Sequence, residues 1–284
     1  MVCAKAVIKG HFVHPINFAD LGLSPVLFEI GPFALRWYSL GYIVGIIFGW
    51  WYFVKLTKQP GAPCSSTHVD NYVTWLTLGV ILGGRIGYVL FYDFPVFAAD
   101  PLKVFRLWEG GMSFHGGFLG VMVATWLFCR STGITLLRFL DFLAVSFPPA
   151  IFLVRLANFV NGELWGKPTD GTWGIIFPAA DALPRHPSQL YEAALEGPVL
   201  WAILLYLFWK TDARYRPGLL AGTFGLGYGS FRFIVEFYRE PDSQLVWLAE
   251  ATGLHMGQWL SLPLIIAGLW LVLTSAGRRA KAGI

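Results

Sequence analysis

Charge is what this sequence has least of. Asp, Glu, Lys and Arg make up only 13% of its 284 residues, against 56% hydrophobic residues, whereas a soluble domain carries about 25% charged residues. That shortage excludes an ordinary water-soluble fold. Cysteine is scarce as well. Cys3, Cys64 and Cys129 are odd in number and show no metal-ligand spacing, so neither a disulfide framework nor a metal centre is expected. No internal repeat stands out, which argues against a transporter built from inverted halves. A nucleophilic serine motif and paired intramembrane aspartates are also missing, which ranks an intramembrane protease low. The first 33 residues lack a compact apolar core followed by a small-residue cleavage site, so they do not read as a cleavable signal.

Long apolar runs are present instead. Seven reach bilayer length, at about 37–55, 71–92, 112–130, 136–156, 190–209, 218–237 and 259–276, since a spanning helix needs about 17–25 such residues. Each is expected to be a helix, because an open sheet in lipid leaves backbone groups unpaired. The 32 glycines suit close helix packing in a membrane. The 13 tryptophans and 11 tyrosines suit interfacial belts. The fold class expected is therefore an all-α integral membrane protein with seven transmembrane helices. Residues 1–36 form an interfacial N-terminal arm, 37–276 the membrane domain, about 157–189 a small cap rich in turn residues, and 277–284 a basic tail.

Orientation follows from Lys and Arg, which favour the cytoplasmic side. With the N-terminus outside, the inner side holds Lys55, Lys58, Arg130, Arg138, Lys210, Arg214, Arg216, Arg278, Arg279 and Lys281. The longer outer loops hold Lys103, Arg106, Lys167, Arg185 and Arg239, and the arm adds Lys5, Lys9 and Arg36. The cap and the acidic segment 240–250 then face outward. The net charge of +4 points to anionic lipid at the inner face rather than to nucleic acid. Cys64 and Cys129 fall on or near the cytoplasmic side, where a disulfide is not expected.

Against this apolar background a few polar residues stand out, because an ionised side chain in a lipid-embedded helix costs about 2.5–3.5 kcal/mol. Tyr228, Arg232 and Glu236 are spaced i, i+4, i+8 and share one helical face. They form either a structural ion pair joining two helices or an anion site in which Glu236 orients the Arg232 fork. Arg155 and Asn158 are neighbours at i, i+3, followed by Asn161 and Glu163. Arg155 either snorkels to the interface or uses these amide neighbours around an anion. Pro148 and Pro149 are expected to kink its helix. His115 opens a run with Gly116, Gly117 and Gly120. It is either an interfacial residue on a glycine-based helix contact or a general base. Arg85 adds a third intramembrane arginine, and all of these charges must converge on partners, water or a bound anion. Arg36, Trp37 and Tyr38, and the block His186–Glu192, read individually as interface anchors.

In order along the chain, GPFALRWYSLGY, GGRIGYVLFY, SFHGGFLG, RLANFVNGELWG, RHPSQLYEA and YGSFRFIVEFYREPD each fall at a membrane position. Together they resemble the bacterial phosphatidylglycerol–prolipoprotein diacylglyceryl transferases, over about residues 27–275. The resemblance implies a seven-helix inner-membrane enzyme whose N-terminus and active site face the periplasm. Its partners would be phosphatidylglycerol and a preprolipoprotein signal peptide, with no cofactor. The lipobox cysteine thiol would take the diacylglyceryl group as a thioether, releasing glycerol phosphate. By the same resemblance, His115, Arg155 and Arg232 would be catalytic. Tyr38, Asn158, Asn161, Glu163, Gly166, Tyr228 and Glu236 would bind substrate. A lipid or anion transporter using the same arginines is the main alternative.

Overall fold

A computed structural model describes residues 15–31, 33–91, 100–106, 110–169, 173–240 and 251–278. Residues 1–14, most of the acidic segment 240–250 and most of the basic tail lie outside the described residues, as does Cys3. Helices form at the apolar runs: α1 Trp37–Leu56, α2 Ser66–Phe91, α3 Phe114–Thr132, α4 Leu136–Ser146, α5 Pro148–Val160, α6 Ser188–Ala194, α7 Leu200–Lys210, α8 Leu219–Val235 and α9 Met256–Thr274. Among the described residues four segments are long and apolar enough to cross a membrane: Trp37–Leu56, Ser66–Leu90, Ser188–Lys210 and Met256–Arg278. There are five if α4 and α5 count as one broken span. The other two expected spans coincide with α3 and α8. The 17 residues of α8 rise about 26 Å, short of the ~30 Å hydrocarbon core.

The expected kink at the proline pair takes the form of a break between two helices. α4 stops at Ser146 and Pro148 opens α5. A first helical turn does not use the N–H that proline lacks, whereas an interior turn does.

The chain divides into two compact units, Met1–Gly45 with Pro148–Trp201 and Leu226–Ile266, and Ile46–Phe147 with Ala202–Gly225 and Ala267–Ile284. In the second unit α2 and α3 approach through glycines. A Cβ added to Gly83 would lie 2.6 Å from Gly120 Cα, and one added to Gly87 would lie 2.6 Å from Gly116 Cα. No side chain fits there, so the glycines after His115 receive a neighbouring helix backbone. Phe53, Tyr72, Phe128, Phe139 and Phe142 stack into the core of this unit. Buried Asp141 accepts the N–H groups of Gly218 at 2.7 Å and Ala221 at 2.9 Å. It thereby satisfies backbone donors that the first turn of α8 leaves unpaired. Cys64 and Cys129 are free thiols.

Arg85 also belongs to this unit. It donates to the carbonyls of Lys103, Val104, Arg106, Gly110 and Gly111. Its burial is thus met in good part by backbone carbonyls ahead of α3.

In the first unit, described residues near the N-terminus pair with the segment after α5. Strand β1 Ile16–Asn17 lies parallel to β4 Ile175–Ile176, which pairs antiparallel with β5 Pro184–Arg185. Phe18 follows β1 and packs on Phe159 and Phe177, with ring centroids 5.6 and 5.3 Å away. Strands β2 Val26–Ile30 and β3 Phe33–Arg36 form an antiparallel hairpin that leads into α1. Residues 170–172 of the expected cap lie outside the described residues.

Candidate active site

Parts of three helices within the first unit bring ionised groups together. α5 supplies Arg155. The Ser188–Lys210 span supplies Glu192 and Glu196, one turn apart with side chains 1% and 0% exposed. α8 and the turn after it supply Tyr228, Arg232, Glu236 and Arg239. Pro198 lacks an N–H, and the helix around it widens into a π turn over Leu195–Val199, a feature frequent at functional sites. Gly197 in that turn lies against α5, where a Cβ would meet Phe152 Cβ at 2.7 Å.

Glu192 is the centre. Its Oε2 lies 3.0 Å from Arg155 Nη1, and its Oε1 pairs with Arg232 Nη1 and lies 3.4 Å from Arg239 Nη1. Arg155 Nε also donates to Glu196 Oε2 at 3.2 Å, and Arg155 is hydrogen-bonded to the Tyr228 hydroxyl. Arg232 Nη2 reaches Glu236 Oε2 at 2.9 Å. Among the described residues three guanidiniums face three carboxylates. Breaking one buried pair of this kind typically costs about 3–5 kcal/mol, because the remaining charge is stranded.

Beside the cluster, α5 ends in a tight turn with Gly162 at φ 63° and Leu164 at φ 59°. Glu163 accepts from the side-chain amides of Asn158 at 2.8 Å and Asn161 at 3.2 Å. Gln189 donates to the Glu163 carbonyl, and Ser188 donates to Leu164 O at 2.9 Å. The HPSQ block therefore buttresses this turn. Gly166 is the next fixed point. It donates its N–H to His186 O at 2.8 Å and bridges to Arg239. A Cβ there would lie 2.5 Å from Tyr238 O and 2.6 Å from His186 O.

Arg185 binds the cap together. It grips Asp181 through two nitrogens at 3.0 and 2.6 Å, Glu240 at 2.9 Å and Gly166 O at 3.0 Å. The Arg185 hydrogen bond holds the Asp181 carboxyl below its ordinary range, and Asp181 in turn raises Arg185. Under the cap, Trp173, His186, Leu190, Tyr191, Ile234 and Tyr238 line much of an apolar groove of about 410 Å³. His186 Nδ1 lies 3.1 Å from the Tyr191 hydroxyl on its wall.

Of the residues singled out from the sequence, Arg155, Tyr228, Arg232 and Glu236 meet in one cluster, with Asn158, Asn161 and Glu163 at the end of α5. Tyr38 sits one step removed. Its hydroxyl is 3.3 Å from that of Tyr42, and Tyr42 is the one within electrostatic reach of Arg155. His115 belongs to the other unit, exposed in the first turn of α3, where Ser113 accepts the Gly116 N–H at 3.2 Å. Sequence reasoning passed over Glu196 and took Glu192 for an interface anchor. Two carboxylates at i, i+4 in a spanning helix need cationic partners, and that was the signal available.

The model of the prolipoprotein diacylglyceryl transferase family matches residues 25–274. The chain belongs to that family. The phosphatidylglycerol–prolipoprotein diacylglyceryl transferase of Zymomonas mobilis is 52% identical over 272 residues, covering 93% of this chain and 94% of its own. Those of Erythrobacter litoralis and Rhodospirillum rubrum are 50% and 52% identical, covering 94% and 91% of this chain and 94% of each relative. The cluster on α5, the Ser188–Lys210 span and α8 with the turn after it is thus built into a multi-pass membrane transferase of lipoprotein biosynthesis. Among the described residues no group of His, Cys, Asp and Glu is arranged to hold a metal ion.

Proposed function

We propose that Arg155 and Arg232 hold the phosphate of phosphatidylglycerol while the lipobox thiol of a prolipoprotein displaces it from the glycerol carbon. The observation that carries this reading is that both guanidiniums, from different helices, already reach one anion, the Glu192 carboxylate. The thiolate forms a C–S bond as the carbon–oxygen bond to phosphate breaks. The electron pair stays on that oxygen, so glycerol phosphate leaves with one more negative charge than the diester had. Positioned donors in a dry site stabilise such developing charge most. Because Glu192 already pairs with both guanidiniums, the phosphate enters by exchanging with it at the two arginines.

Other residues take supporting parts. Glu236 orients Arg232. Tyr38, Asn158 and Tyr228 offer neutral polar groups for glycerol and phosphate oxygens. Glu163 holds Asn158 and Asn161, and Gly166 keeps the cap closed against Tyr238. His115 takes the proton of the thiol, whose ordinary pKa near 8.5 leaves it mostly protonated at neutral pH. The wider reading is a seven-span inner-membrane protein with its N-terminus outside. Its membrane domain covers 37–276, the arm 1–36 and the cap about 157–189 lie on the periplasmic side with the site, and a basic tail 277–284 lies inside. Both substrates arrive through openings between helices, since one is a two-tailed lipid and the other a membrane-spanning peptide.

The test is incubation of the purified enzyme with phosphatidylglycerol and a lipobox peptide. Wild type releases glycerol phosphate and adds diacylglyceryl mass to the peptide. Arg232→Ala abolishes both while remaining membrane-inserted, and Arg232→Lys loses most activity, because an ammonium cannot reproduce the two-pronged contact. Near-wild-type rates in either variant would remove Arg232 from the phosphate site.

A further inference from the structure

One titratable side chain next to the cluster has no part in the reaction described above. His255 precedes α9, and its Nδ1 lies 3.9 Å from Glu236 Oε1 with no hydrogen-bond partner. Its backbone does have one. The His255 N–H donates to Gln258 Oε1 at 2.9 Å, the return half of a capping box at the start of α9.

Glu236 is therefore approached from three sides. Arg232 Nη2 holds Oε2 at 2.9 Å. The first turn of α9 presses on the carboxylate, for a Cβ on Gly257 would lie 2.6 Å from Oε2, and a helix N-terminus favours negative charge. The imidazole stands on the remaining side. When neutral it adds no charge; when protonated it gives Glu236 a second cationic partner.

We propose that His255 is a positioning residue whose protonation draws Glu236 from Arg232 and turns that guanidinium toward the substrate phosphate. The inference rests on the reading of Arg232 as a phosphate ligand and adds to it a dependence on proton concentration. The charged groups facing His255 set where this happens. Burial and then Lys167 push its pKa below the usual imidazole value, while Glu236 and Glu240 pull it back up. The change consequently falls on the acid side of about 6.5, the unperturbed histidine value.

His255→Ser removes the imidazole and keeps the cap, since serine is favoured at that position. His255→Asn serves as a second variant on the same ground. The measurement is steady-state transfer from phosphatidylglycerol in detergent micelles to a lipobox peptide between pH 5 and 8, with KM for the lipid and kcat resolved separately. Wild-type KM is expected to be lower at pH 5 than at pH 8 by about fivefold, the low end of ordinary coupling between two sites. In both variants KM stays at its high-pH value throughout, and the change lies in KM rather than kcat. A variant with an unchanged melting temperature that keeps the wild-type KM profile overturns the inference, as does a wild-type KM that is flat over this range. Failure of the underlying reading looks different, because Arg232→Lys would then leave KM for the lipid unchanged at every pH.

Discussion

At the residue scale, Glu192 decides how the site behaves before substrate arrives. It is a buried carboxylate touched by Arg155, Arg232 and Arg239, and on the function proposed above it stands where the lipid phosphate would bind. Glu192→Gln leaves cations facing a neutral amide. Two effects with opposite consequences are expected. Folding stability falls by roughly 3 kcal/mol as buried charges lose their partner, and KM for phosphatidylglycerol falls because no internal anion competes. Thermal denaturation and lipid titration of the same preparation read both; a KM at or above wild type would show that Glu192 does not stand where the phosphate goes. His115 is tested on the other reactant. His115→Asn should slow transfer more at pH 7 than at pH 9, where the thiol ionises unaided. An equal loss at both pH values assigns His115 a structural role. The arginines were legible in the sequence because a charge in a lipid-embedded helix is costly enough to demand a reason. Their partners were not, because Glu192 and Glu196 lie some forty residues from Arg155 and only the fold brings them within 3.0 and 3.2 Å. Arg85 shows the opposite outcome. The same signal from the sequence led to five backbone carbonyls among the described residues.

At the scale of elements, the helices were readable from apolar run length, and their ends from proline and glycine. The structure departs from that reading where the chain pairs with itself at long range. β1 and β4 have two residues each, too few for a period-two pattern, and their pairing ties the arm to a cap far along the chain. The glycines of GGRIGY and HGGFLG were legible as small residues but not as partners of one another. Gly83 and Gly120 allow α2 and α3 to touch, so Gly83→Val should force the helices apart. Overpacking of this kind commonly costs about 1–3 kcal/mol, and here the obstacle is backbone. The expected result is a lower melting temperature with reduced yield in the membrane. A Gly83→Val protein as stable as wild type would show that the close approach of α2 and α3 is not needed. The Asp181–Arg185 pair adds a pH dependence to the cap. The Asp181 pKa is depressed, so its contribution is present above the ordinary carboxylate value and is lost as pH falls through the lowered one. Amide protection across 166–169 and 173–186 should therefore persist at pH 5 and decline only below about pH 4.

At the scale of the whole molecule, a membrane transferase must bring an anionic lipid and a peptide thiol to one place with little water. On the function proposed above, the electrostatic half of that requirement is met by the buried arginines paired to Glu192, which the phosphate enters by exchange. The measurement that bears most directly on this account is a structure of the enzyme with phosphatidylglycerol bound. The account predicts the phosphate oxygens at about 2.7–2.9 Å from the guanidiniums of both Arg155 and Arg232, as in charge-assisted pairs, with Glu192 displaced from at least one of them. A lipid phosphate held elsewhere, with Glu192 still between the two arginines, would contradict it.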